Sequence, residues 1–130
     1  MPYRQTFFKP NKYNAVKQTY NGYNYDSKFE ARVAAELDME VIAKVITDYE
    51  RQFKVEIYAY TKDGEPVRLC SHKIDFRRHL PDGTFELLEA KGVETSDYKW
   101  RRKMLENFWL PEHPDHVYRV VKQQNAWRPR

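Results

Sequence analysis

Two periods of hydrophobic and polar residues alternate along the chain and predict its secondary structure. From residue 26 to about residue 44, apolar side chains such as Val33 and Leu37 recur every three or four positions, as on the inward face of an amphipathic helix. Ser27, followed by Glu30 three residues later, has the spacing of a capping box, which marks the start of a helix. The pattern therefore predicts a first helix here.

A strict alternation of apolar and polar residues replaces the helical period from Tyr49 to Tyr60 and predicts a long strand. Asp63-Gly64 and Pro81-Asp82-Gly83 are typical of tight turns. Residues 67–76 and 84–91 then form two further strands around the second turn. We expect the three strands to form an antiparallel meander.

A second helix is predicted from the N-cap residues at 95–97 to about Phe108, with Trp100, Met104 and Phe108 as its core stripe. The β-branched run at 116–121 predicts a last strand. The element order is therefore α-β-β-β-α-β, which indicates an α/β fold with a central sheet flanked by helices.

The first 25 residues differ from the rest of the chain in composition. They contain four basic residues, no acid and several tyrosines, without a lasting period. We interpret residues 1–25 as a basic, Tyr-rich arm that precedes a single domain at 26–130. Lys9 and Lys12 of the arm are candidate DNA contacts. Its tyrosines either stack on bases or anchor the arm to its own domain.

Charge is unevenly distributed along the remaining sequence. Residues 26–98 contain eleven basic and sixteen acidic residues, a balance of −5, whereas residues 99–130 contain eight and three, a balance of +5. An acidic centre between basic ends suits a protein that binds phosphates at its surface and a cation at its centre, although solvated ends explain the same asymmetry.

Cysteine content and hydropathy bear on the cellular compartment. Cys70 is the single cysteine of the sequence, so a disulfide framework within the chain is excluded. No apolar run reaches membrane-spanning length, and the N-terminus lacks the apolar core of a secretory signal. We therefore expect a cytoplasmic protein without membrane contact.

Three residues near the ends of the second and third strands have the chemistry of a hydrolytic metal site. Asp75 is expected on the strand face opposite Ile74 and Phe76, and Glu89 shares a face with Lys91 because the two are two positions apart. Two carboxylates can hold a cation that activates water for phosphodiester hydrolysis, and a lysine can position that water or neutralise charge. When such a pattern is taken alone, exposed strand charges explain it better than a metal site does.

Two further groups extend this candidate site. Glu30 lies on the apolar face of the first helix, so it either completes the capping box or meets a donor or metal. The main-chain carbonyl of Ala90 is a possible extra ligand. An oxygen-only ligand shell formed by Asp75, Glu89, Ala90 and Glu30 would favour Mg²⁺ or Mn²⁺ over zinc.

The sequence resembles the PD-(D/E)XK nuclease superfamily at these positions. Ile74-Asp75, Glu89-Ala90-Lys91 and Glu30 match that superfamily's acid, E-x-K motif and helix glutamate, and residue 74 is isoleucine where the superfamily name has proline. The resemblance covers roughly residues 26–122 and implies a restriction-endonuclease-like core with a mixed central sheet. It implies a Mg²⁺-dependent DNA endonuclease in which Asp75, Glu89, Lys91 and Glu30 are catalytic.

Within the superfamily, the small size and the Leu-Glu-Ala-Lys-Gly segment look most like archaeal-type Holliday junction resolvases and related small phage endonucleases. This resemblance implies a homodimer that cuts four-way DNA junctions in recombination, in the host cytoplasm if it is phage-encoded. The alternatives are another nuclease of this fold, of restriction or repair type, and a non-catalytic nucleic-acid-binding module.

Basic residues of the second helix are candidate phosphate contacts. They are Lys99, Arg101, Arg102 and Lys103, and a solvated helix face is the alternative interpretation. His113 and His116 flank Pro114 in a predicted loop. We expect surface positions for these two histidines and no zinc site.

Overall fold

The computed structural model describes residues 18–20, 22–25, 27–91 and 94–122. The elements are β1 (Gln18–Tyr20), β2 (Tyr23–Tyr25), α1 (Lys28–Ile42), β3 (Asp48–Tyr60), β4 (Pro66–His79), β5 (Phe85–Lys91), α2 (Ser96–Met104) and β6 (His116–Lys122). A π-helical turn (Leu105–Trp109) and a 3-10 turn (Leu110–Glu112) follow α2. From α1 onward the predicted order of helices and strands is confirmed.

One mixed sheet organises the chain from β3 to β6. Its strand order is β3-β4-β5-β6, with antiparallel pairing among the first three strands and parallel pairing between β5 and β6. The parallel register places Leu87 beside Tyr118 and Glu89 beside Val120. The protein is thus an α/β fold with a four-stranded mixed sheet and two helices.

Side-chain caps begin both helices at the predicted positions. The Ser27 hydroxyl accepts a hydrogen bond from the Glu30 N–H at 3.1 Å, and the Thr95 hydroxyl accepts one from the Tyr98 N–H at 3.1 Å. Each bond satisfies an amide that has no partner within the first helical turn. These caps fix where Glu30 and Tyr98 lie relative to the sheet.

Buried apolar side chains form two cores. The α1 core consists of Phe29, Ala31, Val33, Ala34, Leu37, Ile46, Phe76, Leu88 and Val121. The α2 core consists of Val55, Ile57, Ile74, Leu87 and Leu105. Successive residues Leu87 and Leu88 enter different cores because neighbouring side chains of a strand point to opposite faces. The sheet is therefore covered on both faces.

The predicted core stripe of the second helix is wrong for two of its three residues. Trp100 is 58% exposed and Phe108 is 48% exposed, whereas Tyr98 and Leu105 are buried. Trp100 lies about 200° around the helix axis from Tyr98, on the opposite side. Leu105 lies within about 20° of Tyr98, on the same side. The face of α2 that packs on the sheet therefore includes Arg101 and Arg102 as well as apolar residues. The pattern of apolar residues in the sequence did not predict this face.

The end of the predicted arm forms a two-stranded β-hairpin. Strands β1 and β2 pair antiparallel from residue 18 to residue 25. The Tyr20 hydroxyl donates a hydrogen bond to one oxygen of Asp38 in α1 at 2.7 Å, and the Tyr49 hydroxyl donates to the other at 2.7 Å. Tyr20 thus anchors the hairpin to the domain, while residues 1–17, with Lys9 and Lys12, lie outside the described residues.

The sequence contains no apolar run of membrane-spanning length. Within the described parts of the chain, no helix has the length and apolar character needed to cross a bilayer.

Candidate active site

The two predicted carboxylates meet where β4 and β5 separate. Pairing between these strands runs from His79–Phe85 to Phe76–Leu88 and stops there. Asp75 and Glu89 are the next residue on each strand. The Asp75 N–H donates to Glu89 Oε2 at 3.3 Å, and the Ala90 N–H donates to Asp75 Oδ2 at 2.8 Å. Beyond the end of the strand pairing, the side-chain carboxylates therefore accept the hydrogen bonds of the main-chain N–H groups.

An irregularity on the other side of β4 accompanies this opening. The register of β3 and β4 includes Phe53–Ile74 but omits Gln52 and Asp75, which lie opposite each other. Gln52 has φ 57°, a left-handed conformation that disrupts regular strand pairing. Ile74 enters the α2 core and Phe76 the α1 core. The expectation that Ile74 and Phe76 share a face is wrong because β4 changes face at Asp75.

Glu89 is the most deeply buried member of the site. It is 1% exposed, and its Oε1 lies 2.7 Å from Nε2 of His72, which is 3% exposed. Since both oxygens of a carboxylate can accept more than one bond, these contacts leave lone pairs for a further ligand. A charge buried this deeply requires such partners.

The electrostatics of Asp75 indicate that acidic groups are concentrated here. Burial raises the pKa of Asp75 well above its usual range, and the nearby carboxylates of Glu89 and Glu30 raise this pKa further. The hydrogen bond from Ala90 and the charge of Lys91 act in the opposite direction without cancelling the effect. We call Glu30, Asp75, Glu89 and Lys91 the acidic cluster. A cation would relieve the repulsion among its carboxylates.

Lys91 lies beside the carboxylates on the face predicted for it. Its Nζ is 4.4 Å from the ring centroid of Tyr98, a cation-π contact. The Tyr98 hydroxyl lies 2.6 Å from that of Tyr118. Burial is the main cause that raises the pKa of Tyr98 to about 12, and burial also raises the pKa of Tyr118. Both phenols are therefore neutral near pH 7.

A divalent cation fits the donor set of the acidic cluster, although the cluster is not a closed cage. Among the residues that the structure describes, no three His, Cys, Asp or Glu side chains form a ready metal-ligand group. Mg²⁺ is commonly bound by one or two carboxylates, with water completing its shell. The Ala90 amide bonds Oδ2 of Asp75, so this bond leaves Oδ1 for a ligand. Asp75 and Glu89 could thus hold such an ion.

The predicted phosphate contacts on α2 fall into two groups. Arg101 donates to Asp97 at 2.9 Å and to the Ser71 carbonyl, and Arg102 donates to Glu106 at 3.2 Å. Both arginines are half-buried, whereas Lys99 and Lys103 are exposed. The four basic residues therefore do not form one solvated helix face.

The sequence interpretation missed three residues that surround the acidic cluster, namely His72, Tyr98 and Tyr118. The ring of His72 makes edge contacts with both tyrosines, at centroid distances of 6.0 and 6.3 Å. The sequence did contain a signal for Tyr98, because this residue is three positions after the N-cap residue Thr95 and therefore lies in the first turn of α2.

The expected surface position of His116 is wrong, because its side chain is 6% exposed and stacks on Phe85.

Comparison with models of protein families identifies the family of the chain. No curated protein and no solved structure matches the chain. A family model described as "Protein of unknown function (DUF1064)" matches residues 10–125, which is most of the 130-residue sequence. The chain therefore belongs to the DUF1064 family.

Proposed function

We propose that this protein is a divalent-metal-dependent DNA endonuclease of the PD-(D/E)XK type. The observation that carries the proposal is the contact between Asp75 and Glu89 at the opening between β4 and β5. Lys91 adjoins this contact, and its charge acts on Asp75. Two carboxylates that adjoin each other, with a lysine whose charge reaches them, supply the groups that metal-assisted phosphodiester hydrolysis needs.

The order of elements supports the same proposal. The series α1, β3, β4, β5, α2, β6 has the α-β-β-β-α-β order of that superfamily's core. Asp75 lies on the second strand of the sheet, Glu89 and Lys91 lie on the third, and Glu30 lies on the first helix. The restriction-endonuclease-like core is thus the finer fold assignment that we propose.

In this proposal Asp75 and Glu89 hold Mg²⁺ or Mn²⁺, with the Ala90 carbonyl and Glu30 as further oxygen donors. The cation, when bound, polarises the phosphoryl oxygen and lowers the pKa of the attacking water. The carboxylates of Asp75 and Glu89 are held in position for this role because each accepts a hydrogen bond from a main-chain N–H of the neighbouring strand. A site supported in this way loses little orientation entropy when substrate binds.

Lys91 supplies the positive charge at the reacting phosphate. Its ammonium is retained near the carboxylates by the face of Tyr98. From there the ammonium orients the water or neutralises the charge that develops on the phosphate, whereas deprotonation of the water would require Lys91 as the neutral amine. The neutral Tyr98–Tyr118 pair adds no competing negative charge beside Lys91.

The substrate that we propose is a four-way DNA junction, cut by a homodimer in the cytoplasm. The described residues of each chain form one acidic cluster, which supports the dimer, since paired cuts in two strands require two such sites related by a two-fold axis. Exposed Lys99 and Lys103 of α2, with Arg101 and Arg102 beside them, would bind the backbone, and Lys9 and Lys12 of the arm would extend this contact. Another DNA nuclease of the same fold is the alternative.

Cleavage of end-labelled DNA tests this proposal. Four-way junction, linear duplex and single strand of matched sequence are incubated with the protein in Mg²⁺ or in EDTA. We expect Mg²⁺-dependent cleavage, with the junction cut fastest and in both of two opposite strands. Cleavage of all three substrates at equal rate would contradict the junction assignment alone. Binding without cleavage in either Mg²⁺ or Mn²⁺ would favour the non-catalytic nucleic-acid-binding module.

A further inference from the structure

His72 and Glu89 form an isolated polar contact in the interior of the protein. Their side chains are 4% and 2% exposed, and Nε2 of His72 lies 2.7 Å from Glu89 Oε1. When Glu89 is ionised, as a metal ligand is, its carboxylate only accepts hydrogen bonds, and Nε2 of His72 is then the donor in this contact. The contact therefore fixes the orientation of both the imidazole and the carboxylate.

Apart from Nε2, the imidazole of His72 makes no hydrogen bond in the described structure. Nδ1 of His72 is buried and has no hydrogen-bond partner among the described residues. The ring itself makes edge contacts with Tyr98 and Tyr118. A phenylalanine ring would make these aromatic contacts without burying an unpaired nitrogen. Packing alone therefore does not explain a histidine at position 72, whereas the donor at Nε2 does.

The position of His72 in β4 makes it a suitable support. Pairing between β4 and β5 ends at Phe76, so the main chain at residue 72 is not tied to β5 by the sheet. Arg101 of α2 donates to the carbonyl of Ser71, the preceding residue. Helix α2 thereby anchors the main chain next to His72. The imidazole then bridges the gap between the separated strands at Glu89.

We infer that His72 is a positioning residue that holds the Glu89 carboxylate in the orientation needed to bind a divalent cation. The inference rests on the proposed function, because it gives Glu89 a metal-binding role. It assigns His72 no contact with the cation or with DNA. Hydrogen-bond partners of ligating carboxylates commonly change metal affinity by about 10- to 100-fold when they are replaced.

Two substitutions separate the hydrogen bond from the ring. His72→Gln keeps an N–H donor near the position of Nε2 but removes the aromatic ring. His72→Phe keeps the ring but removes the donor. His72→Asn is a second donor-deficient variant, because its shorter amide does not reach Glu89, and it stands in if His72→Phe does not fold. Circular dichroism and thermal unfolding establish which variants are folded.

A calorimetric titration of wild type and of each variant with Mn²⁺ alone is the decisive measurement. We expect His72→Phe and His72→Asn to bind Mn²⁺ about 10-fold or more weakly than wild type, and His72→Gln to stay within about 3-fold. Equal Mn²⁺ affinity of wild type and the donor-deficient variants would overturn the inference and leave the proposed function intact. Equal weakening by Gln and Phe would also overturn it. A wild-type protein that binds no Mn²⁺ would overturn the proposed function, and this inference with it.

Discussion

Two clusters of buried charge lie at neighbouring positions of β4, and they are built differently. The acidic cluster at Asp75 brings three carboxyl groups close to one lysine. The second cluster, which we call the Arg78 network, consists of Glu40, Arg78, Glu86 and Arg119. There Arg78 donates to Glu40 at 3.1 and 2.8 Å and also to Glu86, and Glu86 accepts from Arg119 at 3.1 Å.

The difference between the clusters separates a structural role from a functional one. In the Arg78 network two carboxylates face two guanidinium groups, and the ion pair of Arg78 with Glu40 is almost fully buried. In the acidic cluster the pKa of Asp75 is raised by burial and by its acidic neighbours. A folded protein rarely retains such repulsion without a further partner, and strongly perturbed carboxyl groups are common at functional sites. The comparison therefore supports the proposal that the acidic cluster binds a cation, whereas the paired charges of the Arg78 network stabilise the fold.

Removal of one carboxylate from the acidic cluster should have the largest effect. We expect Asp75→Asn and Glu89→Gln each to reduce DNA cleavage by about 10³-fold or more, because each removes a metal ligand on which the chemistry depends. DNA binding should persist, since the basic residues are unchanged. Gel-shift and cleavage assays on the same preparations measure both. Near wild-type cleavage by either variant would show that the site is misassigned.

Removal of one charge from the Arg78 network should instead affect folding. Arg78→Leu leaves the carboxylates of Glu40 and Glu86 buried without their main partner, and we expect it to lower the free energy of unfolding by about 3–5 kcal/mol. Urea denaturation of Arg78→Leu and Asp75→Asn checks the contrast. Asp75→Asn should be at least as stable as wild type at pH 7. A large loss of stability in Asp75→Asn would remove the distinction between the two clusters.

Lys91 should matter to the reaction more than to the fold. We expect Lys91→Ala to lower the cleavage rate about 100-fold, since one positioned acid-base or charge-stabilising group commonly contributes this much. Its unfolding midpoint should change little. Lys62→Ala, at an exposed position of the turn between β3 and β4, is the matched control and should keep the cleavage rate. If the two lysine variants lose equal activity, Lys91 is one of several surface charges that bind DNA.

The pH dependence of stability should show the smallest effect of this series. A carboxyl group whose pKa is higher in the folded state holds its proton while the unfolded chain releases it. Asp75 therefore lowers stability progressively as pH rises from the usual aspartate pKa to the raised folded pKa. The difference in unfolding free energy between Asp75→Asn and wild type should grow in the variant's favour over this range. A constant difference between pH 3 and pH 8 would contradict the raised pKa of Asp75.

The order of elements and the shared strand face of Glu89 and Lys91 could be predicted from the sequence because both depend on local patterns. The helix caps at Ser27 and Thr95 follow from spacings of three residues, and the shared face of Glu89 and Lys91 follows from a spacing of two. These relations are set by helix and strand geometry within one element. They need no knowledge of which elements meet.

Other features of the site could not be predicted because they depend on contacts between elements. The left-handed Gln52 gives no sequence signal, yet the change of face in β4 accompanies it. The parallel register that brings Tyr118 beside Leu87 is set by packing, and Tyr118 reaches the site only through it. His72 becomes a partner of Glu89 only where β4 and β5 have separated.

Thermal unfolding in increasing Mg²⁺ tests most directly the central claim that the acidic cluster is a divalent-cation site. A ligand that binds only the folded state stabilises it by about 1.4 kcal/mol for each tenfold rise in concentration above its Kd. We predict that the unfolding midpoint of wild type and of Lys99→Ala rises with Mg²⁺, and that the midpoint of Asp75→Asn does not. A wild-type midpoint that is unaffected by Mg²⁺, or an equal rise in Asp75→Asn, would contradict the account.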